Sequence, residues 1–99
     1  MSVYTLGVWT VKPGREDAFV ARWRALAQWT IDEGIGATHA TLVRDHENPR
    51  RFISFGPWGS VEAVERWRAH PGFREHFAVI EQTLESFEPG MYEPVLVIS

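Results

Sequence analysis

A chain of 99 residues, 44% hydrophobic and 23% charged, has the length and balance of one globular domain spanning 1–99, with a small core that association would help to stabilise. A net charge of −3 without any basic run argues against a nucleic-acid partner, and the absence of cysteine excludes disulfides, thiolate chemistry and Cys-based zinc sites. No apolar run approaches the ~20 residues of a membrane span, and no basic-then-apolar leader opens the chain, so a cytoplasmic protein without a membrane partner is expected.

In chain order, Val3–Val11 is rich in β-branched and aromatic residues and reads as a strand apolar on both faces, with Tyr4, Leu6 and Val8 on one side and Val3, Trp9 and Val11 on the other. Pro13-Gly14 ends it. Glu16 and Asp17 suit the first turn of a helix, where negative charge meets the helix dipole. Phe19, Trp23, Leu26, Ala27 and Thr30 then recur with helical spacing on one face, until Gly34 and Gly36. Thr38–Asp45 is read as a second strand, His46-Glu47-Asn48-Pro49 as a tight reversal and Arg51–Phe55 as a third strand. Ser60 offers an N-cap to a short helix, Ser60–Ala69. Beyond Pro71 a second helical stripe of Phe73, Phe77, Ile80 and Leu84 predicts a helix over Gly72–Phe87. Glu88-Pro89-Gly90 reads as a turn and Tyr92–Ile98 as the closing strand, with Pro94 placing it at a sheet edge.

The order β-α-β-β-α-β predicts an α+β, ferredoxin-like fold: a four-stranded antiparallel sheet with its helices on one face. The helices can cover only one side of a first strand that is apolar on both. A second copy of the sheet is the simplest cover for the other, so the chain is expected to be a homodimer through the sheet face, burying more than ~1,200 Å² in total.

The aromatic content, with five Trp and six Phe, exceeds what a small core needs. Trp58 shares a strand face with Phe52, Ser54 and Gly56. That group either floors a pocket, with Gly56 leaving room for a ligand, or plugs the end of the core. Trp67, on the inner face of the short helix, packs the core or touches a ligand, and its indole N–H needs a partner in either case. His76 flanks the Phe73-Phe77-Ile80 stripe; histidine titrates near neutrality and can act as a general base. His39 and Thr41 are candidates to line a pocket, and Arg44, of opposite alternation to His39, to pair across the dimer. His70, ahead of Pro71, reads as a helix boundary and cap. The four His lack the spacing of a metal site, and no P-loop, dinucleotide fingerprint or nucleophile elbow is present. No metal and no cofactor is expected.

With that element order, the run Val11-Lys12-Pro13-Gly14 followed by Phe19, and then Trp58-Gly59-Ser60, Glu62-Ala63, Trp67, His70-Pro71 and Phe73, resembles the antibiotic biosynthesis monooxygenase family of dimeric α+β barrels. The resemblance implies a barrel of two sheets with one pocket per subunit between sheet and helices. It also implies an activity among those of the family, which include cofactor-independent oxidation of polyketide phenols or anthrones to quinones, and haem binding and degradation. In the haem-degrading branch the iron-ligating His falls at Phe77 and a first-strand Asn at Gly7, while Trp67 matches that branch's helix Trp. In a quinone-forming branch an Asn four residues before the strand-end Trp falls at Ser54, and the Trp itself at Trp58. The resulting expectation is an oxygenase acting on a small aromatic or polyketide-type molecule. His76 or His39 would serve as the base and Ser54 as oxyanion donor; Trp58, Trp67, Phe52, Trp23 and Phe73 would form the binding walls. The alternative is a ligand- or haem-binding dimeric barrel without turnover.

Overall fold

The computed structural model describes residues 2–99; the first residue of the domain expected over 1–99 lies outside that range. Seven elements follow in order: β1 (Val3–Val11), α1 (Glu16–Asp32), β2 (Thr41–Arg44), β3 (Arg51–Trp58), α2 (Val61–Ala69), α3 (Pro71–Glu81) and β4 (Leu84–Tyr92). The strands form one antiparallel sheet in the order β2-β3-β1-β4, the ferredoxin-like α+β arrangement.

Alternation on β1 sets the two sides of the sheet. Val3, Gly7, Trp9 and Val11 are buried against the helices, whereas Tyr4 is exposed on the other face. The register pairs Gly7 with Ser54, Trp9 with Phe52 and Thr5 with Gly56, so these residues share the helix-covered side. α1 carries Glu16 and Asp17 in its first turn and ends at Gly34, whose φ of +65° is a left-handed conformation that glycine adopts without steric cost. Ser60 caps α2 as its sequence predicts, its Oγ accepting the Ala63 N–H at 3.1 Å. His70 separates α2 from α3 in an extended conformation ahead of Pro71, and its Nδ1 accepts the Gly72 N–H at 2.9 Å.

The C-terminal third differs from the sequence expectation. The helical stripe predicted over Gly72–Phe87 stops at Glu81, and Leu84–Tyr92, including the expected turn Glu88-Pro89-Gly90, is the edge strand. Thr83, fully buried, donates its hydroxyl to Ile80 O at 2.7 Å, and its own carbonyl accepts the Lys12 N–H at 2.8 Å, turning the chain onto β1. A register shift beside Val11 then inserts one extra residue between Leu84 and Ser86. This bulge brings Leu84 and Phe87, three residues apart, to the same side of the sheet, so a strand start carries helical spacing. Pro89 is tolerated because β4 lies at the edge. The expected strand Tyr92–Ile98 is reduced to its first residue: β4 already occupies the place beside β1, and Val95 to Ile98 are 76–93% exposed. β2 is shorter than expected and β3 longer, running through to Trp58.

The core comprises two clusters. One gathers Trp9, Val11, Phe19, Leu26, Phe52 and Ile80; the other gathers Val3, Trp58, Ala63 and Val64, and Trp67 packs against both.

Candidate substrate pocket

A cavity of about 380 Å³ opens between the sheet and the helices, with Trp67 in its wall and Trp9 and Trp58 in its floor. Its aromatic wall is continuous. Trp58 lies 4.9 Å from Trp67, Trp67 4.5 Å from Phe73, Phe73 5.5 Å from Phe77 and Phe77 5.3 Å from Phe87, which stacks on Trp9 at 4.0 Å. Trp23, Leu26, Ala27 and Ile31 of α1 complete the roof. Such a space fits a flat apolar ligand of drug-like size.

Each indole N–H in this wall meets a hydroxyl from another element. Trp9 Nε1 donates to Ser54 Oγ at 2.9 Å, Trp58 Nε1 to Thr5 Oγ1 at 3.0 Å and Trp67 Nε1 to Thr30 Oγ1 at 2.8 Å. Thr30 in turn donates to Leu26 O at 2.7 Å. The donors that burial would otherwise leave unpaired are therefore satisfied, and the ring planes are held. Among the described residues no carboxylate lines the cavity; its ionisable lining groups are His39 and Arg68, both exposed at the mouth.

The expected site residues fall into two groups. Ser54, Trp58, Trp67, Trp23, Phe73 and His39 are brought together around the cavity. His76 and Phe52 are not in its lining. α3 turns Phe73 and Phe77 inward, and His76, ~100° around the helix from Phe77, packs on Trp29 with ring centres 5.5 Å apart. Phe52 is buried in the core against Phe19, 4.9 Å away. His39 precedes β2 rather than lying on it, and Thr41 faces the side of the sheet away from the helices, opposite Phe55. Arg44 lies on the helix side, its guanidinium 4.9 Å from the Phe52 ring centre. Gly56 does not make room for a ligand. A Cβ there would stand 2.7 Å from His39 O, so the glycine admits the crossing backbone of His39 and Ala40.

Among the lining residues outside the expected set are Thr5, Trp9, Phe77 and Phe87. Period-two alternation carries the signal for Thr5, since it shares a face with Trp9. Phe87 was hidden by the bulge. Gly7 also acquires a reason: a Cβ there would lie 2.8 Å from the Phe87 ring and 3.1 Å from both Ser54 Oγ and Trp9 Nε1, so only glycine leaves the indole–hydroxyl bond undisturbed.

An antiparallel sheet roofed by helices over an aromatic cavity defines the class as an α+β domain with a ligand-sized interior space. The chain belongs to the antibiotic biosynthesis monooxygenase family, whose sequence pattern matches residues 2–79. It is similar in structure to SnoaB, a cofactor-independent oxygenase from Streptomyces nogalater, with 22% identity and a TM-score of 0.88 over 98% of this chain and 96% of that one. Rv0793 from Mycobacterium tuberculosis matches at 18% identity and a TM-score of 0.84 over the whole of both chains. A conserved protein from Methanosarcina mazei Go1 matches at 19% identity and a TM-score of 0.84, covering 93% of this chain and 91% of that one. No curated protein matches the sequence.

Proposed function

We propose that this protein is a cofactor-independent monooxygenase that oxidises a phenolic or anthrone-type aromatic substrate with dioxygen in the cavity between sheet and helices. The observation that carries the reading is the continuous arc of aromatic rings, with hydroxyls fixed by indole donors, in a chain of this family. The cavity desolvates a planar substrate. His39, at the mouth, takes the proton from the substrate's acidic C–H or O–H, and Ser54 donates to the oxygen on which charge develops. The resulting carbanion passes one electron to dioxygen; the carbon radical and superoxide combine into a C–O bond; the peroxide takes up a proton and loses water. Net, a methylene and one O2 give a carbonyl and one H2O, with the substrate as sole reductant.

The role expected of His76 is not carried into this reading, because it packs on Trp29. One observation favours the second reading, ligand binding without turnover: both ionisable lining residues are exposed rather than enclosed with a substrate. Oxidation of anthrone by metal-free protein separates the two. Turnover above the spontaneous rate, reduced ~10²–10⁴-fold in His39→Ala and retained in His76→Ala, supports the oxygenase. Tight binding of anthrone with no acceleration by wild type supports the binding protein.

The same reading includes a homodimer. The face of the sheet away from the helices carries Tyr4, Val43, Phe55 and Tyr92, each at least 38% exposed, and no element among the described residues covers it.

A further inference from the structure

Two of the three hydroxyls that receive an indole N–H differ from the third in what they have left to give. A hydroxyl has one proton and two lone pairs. Thr30 spends both functions inside the protein, accepting from Trp67 and donating to Leu26 O. Thr5 accepts from Trp58 and Ser54 accepts from Trp9, and among the described residues neither proton has a protein acceptor. Both side chains line the cavity. The register places Thr5 opposite Gly56 and Ser54 opposite Gly7, so the two hydroxyls are diagonal neighbours on adjacent strands, on the same face of the sheet; the other diagonal holds the two glycines, against which the Phe87 ring and the His39 carbonyl pack. The indole N–H fixes each hydroxyl oxygen and occupies one of its lone pairs, which biases the group toward donation. We propose that Thr5 is a second substrate-contacting donor, and that Thr5 and Ser54 together form a two-point donor floor selecting aromatic ligands that carry acceptor oxygens at two positions, such as the anion of a polycyclic hydroxyketone.

This rests on the pocket reading above and adds to it a specificity: the apolar wall selects ring size, and the paired hydroxyls select oxygenation and favour the anionic form. Thr5 also holds the Trp58 N–H, so its removal loosens Trp58 as well, and the test must separate the two effects. The probes are 1,8-dihydroxyanthraquinone, whose visible spectrum reports its ionisation, and anthracene, which has the ring system without oxygen. Their affinities are measured for wild type, Thr5→Val, Thr5→Ser, Ser54→Ala and the Thr5→Val/Ser54→Ala double variant. Each lost donor is expected to weaken binding of the hydroxyquinone about tenfold and to raise the pH at which the bound form ionises. Anthracene affinity should change by less than about twofold, and Thr5→Ser should behave as wild type. If Thr5→Val binds the hydroxyquinone as wild type does while Ser54→Ala does not, the Thr5 role is overturned and the pocket stands. If Thr5→Val weakens both probes equally, Thr5 acts only by holding Trp58, and the proposal is again overturned. If wild type binds neither probe, the pocket reading falls and this proposal falls with it.

Discussion

The indole–hydroxyl pairs show how single residues make an apolar cavity tenable in a small domain. Tryptophan supplies large, stiff walls but brings a donor that burial would leave unpaired; here Ser54, Thr5 and Thr30 answer the three donors from neighbouring strands and from α1. Thr30, 4% exposed, is the clearest case, because valine keeps its shape and removes its oxygen. Thr30→Val leaves the Trp67 N–H without its partner and should destabilise the protein by about 1–3 kcal/mol. For a domain of this size each 1 kcal/mol lowers Tm by ~4–8 °C, which thermal denaturation reads directly. Unchanged Tm would mean that Trp67 finds another acceptor. Asp45 shows the same economy at the surface. Its carboxylate accepts from the Glu47 N–H at 2.8 Å, the Asn48 N–H at 3.3 Å and Arg51 at 3.2 Å, and these bonds, the Glu47 backbone donor foremost, hold its pKa below the ordinary value. A depressed carboxylate contributes stability that is fully present above the unfolded pKa, about pH 4, and is lost as pH falls through the lower folded value. Asp45→Asn should therefore lower Tm at pH 7, with the difference shrinking below about pH 4. A Tm difference that stays constant from pH 7 to pH 2 would show the side chain acting by shape alone.

At the scale of elements, the parts of the fold legible in the sequence were those whose local and tertiary signals agree. Ser60 caps α2, His70 caps α3 ahead of Pro71, and Gly34 ends α1, each by a bond or torsion its residue type favours. The α3–β4 boundary was not legible because two signals conflict there. The bulge after Val11 spaces Leu84 and Phe87 like helix neighbours, and the competing information, pairing of Leu84–Tyr92 with β1, is carried by residues more than seventy positions away. The Val95–Ile98 run fails in the opposite sense, with strand composition but no strand beside it among the described residues. For the pocket, aromatic content and alternation on β3 brought Ser54 and Trp58 into view, and the helical stripes brought Trp23, Trp67 and Phe73. Which histidine approaches the cavity depended on the turn that carries His39 and Ala40 over Gly56, a backbone crossing that periodicity does not encode.

The sheet is asymmetric: one side is roofed by three helices and the other by nothing among the described residues. On the bare side, Leu6 and Val8 of β1 stand among Ile53, Phe55 and Pro57 of β3, with Val43 of β2 and Tyr92 of β4 flanking them. An apolar area of this kind is what the proposed homodimer would cover. Self-association would bury it most economically, because a two-fold axis brings the same patch to both partners. The exposed run Val95–Ile98 begins three residues beyond the end of β4, and in the proposed homodimer it would pair with the second copy. Light scattering at micromolar concentration should therefore give twice the chain mass of 11.4 kDa. Phe55→Asp, placing a charge on the face shared with Leu6 and Thr41, should shift the protein to the monomer. Deleting residues 95–99 should weaken the dimer while leaving the far-ultraviolet spectrum of the sheet and helices in place. A wild-type monomer at these concentrations would sink the sheet-face dimer outright. A dimer that persists in Phe55→Asp would move the interface to the helices, where it would have to leave the mouth at His39 and Arg68 open for substrate to enter.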